Sequence, residues 1–157
     1  MTPLLQFSLI AHVILGIAGV SAAYAVWLHG IKKIPPVKFL KISSGIAFFS
    51  FIFSWIAGAY YYVAYYGAAV KPVIKAGSSP WGHNFFMEMK EHVFLLLPFL
   101  SLVVFITLLV FGEQLGKEDS SVALAPLKRA LSFLSGVVVI LGILIAISGI
   151  GISGAIK

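Results

Sequence analysis

The sequence predicts an all-α integral membrane protein, a four-transmembrane-helix up-down bundle with both termini outside (N-out/C-out). Three observations carry that expectation. Of 157 residues, 61% are hydrophobic and 10% charged, with a mean hydropathy of +1.07, well on the apolar side of soluble domains. Windows of about 20 residues, enough to cross about 30 Å of hydrocarbon as a helix, fall at 3–28, 42–66, 84–112 and 130–156. The connections between them are short and hold most of the cations. Residues 1–157 therefore read as a single transmembrane domain with no room for a soluble one.

The first apolar segment is too long for the core of a signal peptide and is followed by no small-residue cleavage pattern, so it reads as a retained span. It carries His12 within SLIAHVILGIAG, with Gly16 one turn on. The first connection, around the stiff IPPVK, holds Lys32, Lys33, Lys38 and Lys41; the third holds Lys117, Lys128 and Arg129. Those seven cations outweigh Lys71, Lys75 and Lys90 in and beside the second connection. The positive-inside rule then puts connections one and three inside, with a prokaryotic cytoplasmic membrane as host.

The second span ends in a run of aromatics, Tyr60, Tyr61, Tyr62, Tyr65 and Tyr66. Such residues favour the headgroup level, but five within seven positions cannot all face lipid, so some must point inward. The third span opens on Glu88-Met89-Lys90-Glu91-His92 and is interrupted by Pro98, which is expected to bend it. The fourth is rich in small residues, including Ser135, Gly136, Gly142 and Gly149, as close helix packing requires.

Composition also excludes chemistry. There is no cysteine, which removes disulfides, thiolate metal centres and thiol catalysis. Phosphate-binding, dinucleotide, GxSxG and HExxH motifs are missing from the sequence. The net charge of +6 serves topology, and no nucleic-acid partner is expected.

Depth counting picks out the candidate site. His12 lies 20 residues before Lys32 and His92 lies 21 before Glu113, which places both about 30 Å from the inner boundary. Glu88 and His92 are one turn apart, and Glu91 borders that face. Ionisable groups near hydrocarbon are costly and call for partners. The leading expectation is a b-type haem (haem b) clamped by His12 and His92 in the outer half, for electron transfer. Glu88, Glu91, Tyr61 and Tyr65 would bond its propionates or handle quinol protons.

Two other readings stay open. The first is a non-haem site for a divalent or redox metal ion (iron, zinc, manganese or copper) on His12, His92, Glu88 and Glu91, with His83. The second is a noncatalytic accessory or assembly subunit of a larger membrane complex, with residues 88–92 forming a solvated first turn. The lipid bilayer is the expected surrounding, and a quinone, a redox protein or a second copy of the chain are candidate partners. His29, 17 residues from His12, is too far along its helix to share the site.

Overall fold

The computed structural model describes residues 1–117 and 122–154. Four of its helices are long and apolar enough to span a membrane: α1 Pro3–Gly30, α2 Val37–Ala76, α3 Gly82–Leu115 and α4 Ala125–Gly154. No strand occurs among the described residues.

Helix α1 starts where the Thr2 hydroxyl accepts the Leu5 amide at 3.4 Å and Pro3 fills the first position, whose amide would lack a partner in any case. Pro36 marks the start of α2. All four expected spans are present, but α2 differs at its far end. It continues beyond Tyr66 to Ala76, so residues 67–76, expected as part of a connection, are helical. The chain manages this by widening into a π-helix over Tyr62–Val70. Pro72 then falls in the first turn of Lys71–Ala76, where its missing amide is tolerated. The expected end of the fourth span, at Ile156, lies outside the described residues.

Helix α3 has three parts: a π-helical turn Gly82–Met87, an α-helical stretch Glu88–Phe94, and Leu96–Leu115 beyond a break at Leu95. The break sits where Pro98 cannot donate to the Phe94 carbonyl, as the sequence leads one to expect.

The helices form a closed ring in which α1 packs on α2 and α4, and α3 also packs on α2 and α4. Small residues set the spacing. The ring of Phe51, 0% exposed, lies directly over Gly19. Trp27 covers Gly136, and Val20 presses on Gly142. Large apolar side chains such as Phe7, Ile17, Phe99 and Ile150 stand more than half exposed around the ring, the surface expected of helices that meet hydrocarbon.

The two ends of the bundle differ in chemistry. At the lysine end, Lys41 crosses Gly112 to reach Glu113 at 2.7 Å, and Lys128 donates to the Lys33 carbonyl at 2.8 Å. The Glu113 side chain is 79% exposed, and exposed ion pairs contribute little. Glu113→Gln is therefore expected to leave the unfolding midpoint in detergent unchanged; a clear fall would show that the pair holds α2 to α3. The other end carries the tyrosines.

Candidate functional site at the tyrosine end

His12 is half-buried in the seam between α1 and α2. Its Nδ1 lies 2.8 Å from the Ser54 carbonyl oxygen; a carbonyl only accepts, so Nδ1 carries the proton. The Ser54 hydroxyl donates to the His12 carbonyl at 2.8 Å, with its oxygen 3.1 Å from Nδ1. One turn earlier, Ser8 donates to the Ala57 carbonyl at 2.7 Å. Gly58 makes room for the imidazole, since a Cβ there would stand 2.7 Å from Nδ1. Ser8, His12 and Gly16 recur every four residues on α1, as Ser54 and Gly58 do on α2, so the two helices meet along matching polar and small faces.

His92 stands elsewhere. It is exposed, and its Nδ1 donates to the Glu88 carbonyl of its own helix at 2.7 Å. The neighbours two residues to either side face the bundle. Phe94 is buried, with its ring 6.0 Å from that of His12, and the Lys90 ammonium reaches toward His12 and Gly149 of α4. Position 92 lies about 200° around the helix from both 90 and 94. The two histidines that depth counting put in one layer therefore point in different directions, and the structure does not bring them together.

Glu88 and Glu91 are exposed, with Glu91 turned toward Tyr62 and near Tyr66. Tyr61 and Tyr65 are half-exposed and pack on each other at 5.7 Å. Among the described residues, no three of His, Asp and Glu gather closely enough to hold a metal ion. Glu88 and His92 stand one turn apart on an exposed face of α3, while His12 bonds Ser54 and His83 bonds Tyr66.

The structure does join Tyr66 to His83. His83 is 1% exposed and Tyr66 4% exposed. The Tyr66 hydroxyl lies 3.1 Å from His83 Nδ1, with the rings 5.9 Å apart. Tyr62 stacks on Tyr66 at 5.3 Å. Both partners sit on π-helical stretches, Tyr62–Val70 and Gly82–Met87, a backbone form often found at functional sites. His83 Nε2 is sealed from solvent and has no hydrogen-bond partner among the described residues. Such a group is rare, because an unpaired buried donor or acceptor costs about 1–3 kcal/mol.

From the sequence, His83 is expected only as an outlying metal ligand, and Tyr61 and Tyr65 rather than Tyr66 are expected at the site. Ser8, Ser54 and Gly58 are not expected there, although their four-residue spacing against that of His12 is the available signal. Comparison with protein-family models, with curated proteins and with solved structures finds no match for this chain.

Proposed function

We propose that this chain is a small protein of a prokaryotic cytoplasmic membrane, N-out/C-out, that binds a cofactor for electron transfer in the outer half of its bundle. The anchor is the Tyr66–His83 pair. Four apolar helices and the seven-to-three division of cations support the setting and orientation. The observation that carries the functional reading is the buried imidazole with one nitrogen committed to Tyr66 and the other unpaired. An ionisable group held this way inside an apolar bundle is by default a functional-site hypothesis.

The test is to purify the protein, extract its noncovalently bound small molecules and record its absorption spectrum. Bound material is expected in the wild type and in His29→Ala, and is lost in His83→Phe. Equal content in all three, or none in the wild type, overturns the assignment.

One observation favours a second reading, in which a b-type haem or a non-haem metal is held by His12 and His92. Both rings donate Nδ1–H to a backbone carbonyl, which leaves Nε2 as a lone-pair nitrogen, the arrangement typical of metal-ligating histidine. In the present arrangement the two rings do not fit one haem. They would meet only if α3 turned about half a turn on its axis. A Soret band that shifts on reduction, lost in His12→Ala and in His92→Ala but kept in His83→Phe, would establish this reading. Stoichiometric metal without such a band would indicate the non-haem form.

A further inference from the structure

We infer that His83 Nε2 is a hydrogen-bond donor that takes the carbonyl oxygen of a lipid-borne amphiphile, supplied either by a quinone headgroup or by the ester of a glycerolipid. This deepens the reading of Tyr66–His83 as the binding site and rests on it.

Counting the protons of the Tyr66–His83 pair fixes its tautomer. The buried Tyr66 phenol has one proton to place, and its hydrogen bond among the described residues is to His83 Nδ1. If Tyr66 donates, Nδ1 accepts and the ring proton sits on Nε2, leaving one buried group unpaired. If Nδ1 donates instead, the phenolic proton has no acceptor and Nε2 is an unpaired lone pair, so two groups are orphaned. Each orphan costs about 1–3 kcal/mol, so the first arrangement prevails. His83 thereby differs from His12, His29 and His92, whose Nδ1 atoms all face carbonyl oxygens and must carry the proton. Those three can offer Nε2 lone pairs. His83 offers an N–H, which suits an acceptor oxygen and not a metal ion.

The setting selects the kind of acceptor. His83 lies level with the tyrosine run and two residues from Trp81, and aromatic side chains of this kind mark the interface where lipid ester carbonyls and quinone headgroups sit. Trp81 and Phe85 are 50% and 60% exposed and both pack on Phe86, at 5.6 and 5.3 Å. They form an apolar flank open to the surroundings beside the polar pair. Lys71 and Lys75 stand near His83, as do Glu88 and Glu91. A phospholipid would engage the two lysines through its phosphate, whereas a quinone has no group for them.

The test uses the full chain, 15N-labelled at histidine, in nanodiscs of ether-linked phosphatidylcholine, which has no ester carbonyl. Decylubiquinone is titrated in, and a second preparation uses the ester-linked lipid. The His83 Nε2 resonance is expected to be that of a protonated nitrogen and to shift in at least one arm, saturably with decylubiquinone for a quinone or on passing to ester lipid for a lipid carbonyl. His83→Phe identifies the resonance by its loss. If that variant does not fold, Tyr66→Phe serves, since removing the phenol releases the tautomer and changes the same resonance. An unprotonated Nε2, or a protonated one that shifts in neither arm, overturns the inference. Material that co-purifies with the wild type and is lost in His83→Phe, found alongside an unprotonated Nε2, would spare the site while sinking this account of its ligand.

Discussion

Gly19→Leu is expected to lower the stability of the bundle by about 1–3 kcal/mol, the usual cost of overpacking a filled interior, read as a fall in the unfolding midpoint in detergent. A Cβ at position 19 would stand 2.7, 2.9 and 3.0 Å from three atoms of the Phe51 ring. The ring has nowhere to go, because Phe51 is 0% exposed and belongs to the central cluster with Ala23, Ala47 and Phe94. Relief can come only by moving α1 away from α2. That movement opens the seam a few residues away, where His12 bonds Ser54 and Ser8 bonds Ala57. The substitution should therefore also shift the His12 Nδ1–H resonance. Gly154→Leu is the control, since nothing among the described residues lies within 4 Å of a Cβ there, and it should change neither reading. Equal effects at the two positions would mean that the close contact of α1 and α2 does not set the spacing of the bundle.

The number and rough extent of the helices were legible in the sequence because crossing hydrocarbon is a condition on length and polarity along one dimension. The break before Pro98 was legible for a similarly local reason. What escaped was rotation. A helix that is apolar on every side carries little record of which face points inward, so counting residues assigned His12 and His92 a common depth without giving their directions. Lys90 and Phe94 reveal the phase of α3 only once their neighbours are known. The tyrosine run showed the same limit. Crowding required that some of the five face inward, but choosing Tyr66 over Tyr61 and Tyr65 depends on the π-helical widening of α2, for which a periodicity reading has no signal. The helical course of residues 67–76 was missed because Gly67, Lys71 and Pro72 together read as a connection.

The strongest test of the Tyr66–His83 pair is a stability cycle in which the double variant should outlast one of the singles. Tyr66→Phe keeps the ring and removes the hydroxyl, leaving both His83 nitrogens buried and unpaired; a loss of about 1–3 kcal/mol is expected. Buried polar interactions in membrane helices average about 0.6 kcal/mol, below that range, so the loss should fall near its lower bound. His83→Phe orphans the Tyr66 hydroxyl but removes the already unpaired Nε2, so its net effect should be smaller. Tyr66→Phe combined with His83→Phe replaces both partners with apolar rings and removes every unpaired group of the pair at once. Its stability should equal or exceed that of the wild type, so the two substitutions are strongly non-additive. Detergent unfolding of the four proteins measures this directly. A double variant as damaged as the sum of the singles would show that the two side chains act independently and that the hydrogen bond between them carries no coupling energy. A double variant at least as stable as the wild type, but empty of bound ligand, would show a pair maintained against its own folding cost, as expected of groups whose remaining hydrogen bond is reserved for something outside the chain.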